Sequence, residues 1–541
     1  MNPRRLRLRL LIPAVAAALA LSTVPAAPAA AASSYVTLNG DGSSWAQPAI
    51  QQWAHDMANN GIAVNYTGDG SAQGRSKYAQ DQNDFAGSDI AFLTQGDPFG
   101  AGIEESAWNY SYIPIVAGGT TFIYNLTVAG QKIKNLRLSG ATIAGIFTGT
   151  ITNWDAAQIT HDYGAQLPNL PITVVTRADG SGASYMFTRW LANRYASQWN
   201  AFCAAHGGPN PCGPTEFYPG FSNSVQKNGS DQMASFLASP VSNGAIGYDE
   251  YAYALNYGLP AVKMLNAANY YTLPTASNVA IALQAAQIDW NQNSPTYLMQ
   301  NLDNVYTNPD PRTYPLSSYS YLIIPRDGTD GKNHAPPPSW TNDKGYTLST
   351  WLKYVICQGQ SEAGNIGYSP LPGNLVNGGV QQIDHMPGHI TMPDTQLTGC
   401  NNPTYSNGKN TLIQDAPMPS PCDAATAPLN CTVVNGHAVG ASSGTGSGNN
   451  SNGNDGNASN PGAANPAASA NSSPSVNPIT GQQIQNNPTS AAQNIQAEPV
   501  AVASRPDEEA FLSTLTVLEI LAAISAPVVV GALVQRRRKR G

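Results

Sequence analysis

The stretch Pro171-Ile-Thr-Val-Val-Thr-Arg-Ala-Asp-Gly-Ser-Gly-Ala-Ser184 decides the fold. Ile172 to Val175 is a short β-branched run, the pattern of a buried strand. Asp179-Gly180-Ser181-Gly182 breaks it, and Phe187, Trp190 and Leu191 then recur at helical spacing. The unit reads as strand, Gly/Ser turn and helix N-terminus, with Arg177 at the strand's end. Unpaired N–H groups and the positive end of the helix dipole make such a terminus a receiver of anions. Arg177 adds a planar fork of donors suited to an oxyanion.

The same construction occurs twice more. Tyr35-Val-Thr-Leu-Asn-Gly-Asp-Gly runs into Ser43-Ser44-Trp45, and a helix follows on Ile50, Trp53, Ala54 and Met57. Ile62-Ala-Val-Asn-Tyr runs into Gly68-Asp-Gly-Ser71 and a helix carrying Tyr78, with Asp84-Phe-Ala-Gly-Ser-Asp89 beyond it. One such turn is ordinarily a simple cap. Three of one design point to a shared anion, because small residues admit a ligand to the backbone and hydroxyls donate to it.

Strand-like runs at Tyr112-Ile-Pro-Ile-Val-Ala, Thr121-Phe-Ile-Tyr-Asn-Leu and Tyr319-Ser-Tyr-Leu-Ile-Ile alternate with helical ones from about 35 to 380, the α/β pattern. The chain of 541 residues exceeds one ordinary core, so at least two lobes are expected. Its 26 basic and 33 acidic residues give a net charge of −7, and the basic residues crowd the termini. No basic face remains for nucleic acid. Six cysteines fit an oxidising compartment. Cys203 and Cys212 are neighbours, as are Cys422 and Cys431, and sequential pairing would also join Cys357 to Cys400. Six cysteines nevertheless allow 15 connectivities. No Cys/His spacing suggests a metal site, and no cofactor is expected.

Residues 1–32 read as a secretory signal: an Arg-rich start, Leu10 to Leu21, then small residues. No Cys stands at the cleavage region, which disfavours an amino-terminal lipid. Residues 441–505 are Ser, Gly, Asn, Ala and Pro with scarcely a large apolar side chain, the composition of a disordered spacer. Residues 511–534 are apolar for about the length of a bilayer span, interrupted by Glu519 and Pro527. The basic tail, 535–541, reads as a stop-transfer signal and places that end in the cytoplasm. A sortase-like motif at Asn477-Pro-Ile-Thr-Gly481 is the rival, although it lies well upstream of the apolar run.

These motifs resemble the substrate-binding proteins of phosphate ABC transporters, the PstS type. Gly40-Asp-Gly-Ser-Ser-Trp-Ala-Gln-Pro48, Asn65 to Gly74, Asp84 to Asp89, Leu138 to Trp154 and Arg177 to Thr188 are similar to family segments in family order. Gly244-Ala-Ile-Gly-Tyr-Asp-Glu-Tyr, Tyr314 to Tyr319 and Gly367-Tyr-Ser-Pro-Leu-Pro also fit. The resemblance implies a two-lobed α/β fold of the periplasmic-binding-protein type II class within 33–440. Lobe 1 would be about 33–115 and 275–400, and lobe 2 about 116–274, with phosphate in the cleft. It implies ligands at Ser44, Trp45, Ser71, Asp89, Arg177, Ser181 and Gly182, with Asp179 holding Arg177. It also implies an ABC permease as partner, and binding without catalysis. Asp89 would accept a proton from phosphate that sulfate lacks, the plainer reading being a helix cap. Ala183 departs from a family threonine, with Ser184 beside it as a replacement, and Asp41 and Asp69 add carboxylates. Those departures favour the main alternative, a surface structural or adhesive protein that lost the ligand. A phosphatase has less support, since no Gly-x-Ser-x-Gly elbow or metal constellation is present.

Overall fold

The computed structural model describes residues 35–100, 102–328, 335–393, 397, 399–404 and 410–440. The expected signal at 1–32, spacer at 441–505, span at 511–534 and tail at 535–541 lie outside the described residues. No described helix is long and apolar enough to cross a membrane.

Eight strands make one sheet: β1 (Leu38–Gly42), β2 (Val64–Thr67), β3 (Phe85–Ser88), β4 (Tyr110–Asn125), β5 (Thr173–Arg177), β6 (Ser224–Lys227), β7 (Ala245–Glu250) and β8 (Ser317–Pro325). Their order is β2-β1-β3-β8-β4-β7-β5-β6. At each end three strands run parallel, as strand–helix–strand crossovers require. In the middle, β4 and β8 run antiparallel to their neighbours and stitch the two ends together.

The stitch is β4. The sequence presents it as two apolar runs parted by Gly118-Gly119, but it is one strand of 16 residues. Tyr110 to Gly119 pair with β8, and Thr120 to Asn125 pair with β7, so the change of partner falls between Gly119 and Thr120. The glycines are there for packing. A Cβ on Gly118 would stand 2.6 Å from Trp45 Cη2, and one on Gly119 2.3 Å from Pro274 Cβ. Pro114, which cannot donate to a ladder, sits where the register slips: Ser320 faces Val116 and Tyr321 faces Pro114, leaving Ile115 as a bulge.

Four helices open at the sheet's C-terminal edges: α1 (Gln47–Ala58), α2 (Ser71–Ala79), α3 (Gly182–Arg194) and α4 (Gly229–Ala238). Ile50, Trp53 and Met57 of α1 and Phe187, Trp190 and Leu191 of α3 face the core at the spacing read from the sequence. Lobe 1 denotes the β1–β3 and β8 side of the sheet, and lobe 2 the β5–β7 side.

Disulfides join Cys203 to Cys212, Cys357 to Cys400 and Cys422 to Cys431. The second ties the chain near Cys400 to lobe 1, where Thr404 Oγ1 also donates to the Leu371 carbonyl at 2.7 Å. The last described stretch then lies against lobe 2. Lys263 Nζ meets Asp423 at 2.5 Å, Arg137 Nη2 donates to the Ala427 carbonyl at 2.8 Å, and Ala425 N–H donates to the Asn269 carbonyl.

Candidate functional site

Each of the four helices is preceded by a strand and a turn of small residues, and their N-termini meet. Ser44 precedes α1, Ser71 and Gly182 are the first residues of α2 and α3, and Ser230 is the second residue of α4. The α4 turn, Lys227-Asn-Gly-Ser230, is a fourth copy of the motif, and Gly229 takes φ +66°, which favours glycine. Sequence reading missed it because Ser224–Lys227 is short and polar, unlike the apolar strands before the other turns.

Arg177 lies at the centre, almost wholly buried. Its Nε donates to Asp179 Oδ1 at 2.8 Å and its Nη2 to Asp179 Oδ2; Asp179 also accepts from Gly229 N–H at 2.8 Å. The arginine charge holds Asp179 below the usual carboxylate range despite burial. Across the cleft, Arg177 Nη2 donates to Ser44 Oγ at 2.8 Å, and within its own lobe Nη1 donates to Ser230 Oγ at 3.2 Å. Ser230 N–H and Oγ both reach Ser44 Oγ, at 3.1 and 2.9 Å, and Tyr253 Oη donates to the Ser44 carbonyl at 2.6 Å. Trp45 is fixed by its indole N–H on Thr120 Oγ1 at 3.1 Å and by Tyr368 Oη on its carbonyl.

Asp89 follows β3 and caps no helix. Ser43 and Ser320 donate to Oδ1 at 2.8 and 2.7 Å, and Ser71 donates to Oδ2 at 3.2 Å. Burial raises its pKa, while these hydroxyls and Arg177 pull it back. With Oδ1 satisfied, Oδ2 keeps acceptor capacity. It faces lobe 2, for a Cβ on Gly182 would stand 2.5 Å from it and 2.6 Å from Ser71 Oγ. The two walls therefore touch. Ala72 N–H donates to the Gly180 carbonyl at 3.1 Å, and buried Arg75 of α2 meets Glu104 and Glu216 at 2.8 and 2.5 Å.

The remaining candidates have separate partners. Ser181 Oγ caps α3 by accepting from Ser184 N–H at 3.3 Å, and its own N–H donates to the Glu216 carbonyl. Ala183 is buried, and the Ser184 hydroxyl is paired with Tyr248 Oη at 2.5 Å, which also accepts from Arg177 N–H at 3.4 Å. Asp41 and Asp69 share Lys77 Nζ, at 3.1 and 2.6 Å, so the added acids are countered locally. Besides Ser230 and Lys77, sequence reading passed over Ser43, Ser320, Asp249 and Glu250. Asp249 and Glu250 are fully buried; Asp249 Oδ2 and both Glu250 oxygens have no partner.

Chemically, the arrangement suits a small oxyanion: one arginine, several hydroxyls, four helix starts and one carboxylate able to accept a ligand proton. Among the described residues no group of His, Cys, Asp and Glu could hold a metal ion.

The chain is similar to several known proteins. A phosphate-binding protein PstS of Xylella fastidiosa is 29% identical over 358 residues, covering 66% of this chain and 86% of that protein. A phosphate-binding protein PstS of Methanocaldococcus jannaschii is 25% identical over 275 residues, 50% of this chain and 66% of that one. Among solved structures, a phosphate-binding protein of Stenotrophomonas maltophilia matches with a TM-score of 0.44 and 16% identity, covering 63% of this chain and 92% of that chain. The family model described as a PBP superfamily domain matches residues 27–391, and the chain belongs to that superfamily.

Proposed function

We propose that this protein is a non-enzymatic receptor that captures inorganic phosphate outside the cytoplasm and passes it to an ABC permease. The observation that carries the reading is Asp89 Oδ2 facing Gly182 and Ser71 within the cluster around Arg177. A carboxylate beside a bound anion repels it unless the ligand brings a proton to share. Phosphate at neutral pH brings one and sulfate does not, so sulfate would leave two acceptors opposed at a cost of several kcal/mol. Ser44, Trp45, Ser71, Arg177, Ser181 and Gly182 are the proposed ligands, and Asp179 positions Arg177.

The relatives named for phosphate binding support the reading. So does the pairing of Asp41 and Asp69 with Lys77, which weakens the case for a surface protein that lost its ligand. The proposed layout keeps a leader at 1–32, lobes within 33–440, a spacer at 441–505, a span at 511–534 and a cytoplasmic tail at 535–541, on sequence alone. The test is calorimetric titration of anion-stripped protein with phosphate and with sulfate. Binding of phosphate alone in the wild type, with sulfate admitted by Asp89→Asn, is expected. No heat from phosphate with folded protein would overturn the reading.

A further inference from the structure

Ala183 offers a methyl where the resemblance implies a hydroxyl, and Ser184 is committed to Tyr248. Ser230 stands in the cluster instead. Its Oγ lies 3.2 Å from Arg177 Nη1 and 2.9 Å from Ser44 Oγ, and it is fully buried. The buried Asp249 carboxyl is near enough for the Ser230 hydroxyl to act on it. On β7 Asp249 is two residues past the Gly247–Val175 pair, which brings it level with Arg177 on the adjacent parallel strand. Its Oδ1 accepts the Glu250 N–H at 2.9 Å, and its buried Oδ2 has no partner.

We propose that Ser230 supplies the missing hydroxyl donor of the oxyanion site and that Asp249 decides whether it donates, so the site holds phosphate best while Asp249 is protonated. This rests on the phosphate reading above. An ionised Asp249 takes the Ser230 hydrogen, leaving that hydroxyl able only to accept from Arg177, and its charge offsets the arginine. A neutral Asp249 donates to Ser230 instead, and the Ser230 hydrogen is free for a ligand oxygen.

The groups facing Asp249 are Arg177 from β5, Ser230 and Asp231 from α4, Glu250 on its own strand, and Tyr253, Tyr257 and Tyr368. Burial pushes its pKa up to about 7, against the pull of Arg177 and the Ser230 hydroxyl. The switch would therefore work near neutrality.

The test is titration of the anion-stripped full chain with inorganic phosphate from pH 5.5 to 8.5, in wild type, Asp249→Asn, Ser230→Ala and the double variant. Phosphate's own ionisation is common to all four. Above the Asp249 titration, wild type is expected to lose up to about tenfold more affinity per pH unit than Asp249→Asn. Ser230→Ala should weaken acid-side binding roughly ten- to hundredfold and abolish that difference. Identical pH profiles for wild type and Asp249→Asn, or wild-type affinity in Ser230→Ala, would overturn the proposal. If Asp249→Asn fails to fold, Ser230→Ala decides alone, since a profile parallel to wild type refutes the switch. Wild type that binds no phosphate at any pH removes the phosphate reading itself, whereas binding indifferent to both variants removes only the Ser230–Asp249 device.

Discussion

Replacing Gly182 by alanine tests the contact between the walls directly. A Cβ there would stand 2.5 Å from Asp89 Oδ2, 2.6 Å from Ser71 Oγ and 2.8 Å from Asp89 Cβ, against 3.4–4 Å for ordinary contact. Asp89 is held by three hydroxyls and cannot swing aside cheaply, so relief requires the lobes to part by about 1 Å at this point. Such a shift lengthens the Arg177–Ser44 bond from 2.8 Å, the Ser230–Ser44 bond from 3.1 Å and the Ala72–Gly180 bond from 3.1 Å to or beyond the useful range. Two neutral bonds and one from a charged donor contribute about 3–5 kcal/mol together, and partial relaxation recovers some of that. The phosphate dissociation constant is therefore expected to rise at least about a hundredfold. Folding should not suffer. Gly182 opens α3 with an ordinary negative φ that alanine adopts without backbone strain. Calorimetry measures the affinity, thermal melting the fold, and small-angle scattering the spread of the lobes. A Gly182→Ala protein that binds phosphate as tightly as wild type would refute close apposition of Asp89 and α3 as the binding geometry.

Further expectations concern charge and cross-links. Lys77→Ala leaves Asp41 and Asp69 uncompensated beside two of the turns. It should cost roughly 1 kcal/mol of phosphate affinity at low salt and less at high salt, read by titration at two ionic strengths. Glu250 has both oxygens buried without partners, and burial raises its pKa well above the usual value, with Asp249 and Asp89 adding to the rise. A raised carboxyl binds its proton more tightly in the folded state, so stability is lost as pH climbs above the unfolded value. Glu250→Gln should therefore melt like wild type near pH 4 and increasingly above it towards pH 8; a constant gap would contradict this. Removing the Cys357–Cys400 bridge by double serine substitution frees a separation of 43 residues. The loop-entropy account gives about 4 kcal/mol of lost stability, visible in chemical denaturation.

The strand–turn–helix units were legible because everything needed to form them is local: β-branched runs, Gly/Ser breaks, then apolar residues at helical spacing. Arg177 and Asp179 were legible for the same reason, being two residues apart. What escaped depends on distance along the chain. Lys77 answers Asp41 from 36 residues away, and Ser320 reaches Asp89 across 231. Gly118-Gly119 looked like a break in β4 because nothing nearby shows that Trp45 and Pro274 occupy the space of their missing side chains. Asp249 and Glu250 sat inside a recognised motif, yet their want of partners is visible only once β4, α4 and the Trp45 turn close around them.

The last described stretch, docked on Arg137, Lys263 and Asn269, sets the mechanics of the molecule. A load applied at Gly440 would meet the β5–β7 side first and would reach the β1–β3 side through β4, β8, the segment that passes Cys400 and the hydrogen bonds across the cleft. A tethered molecule would thus hold the Arg177 wall still and let the Asp89 wall swing, making the former the stator and the latter the moving jaw.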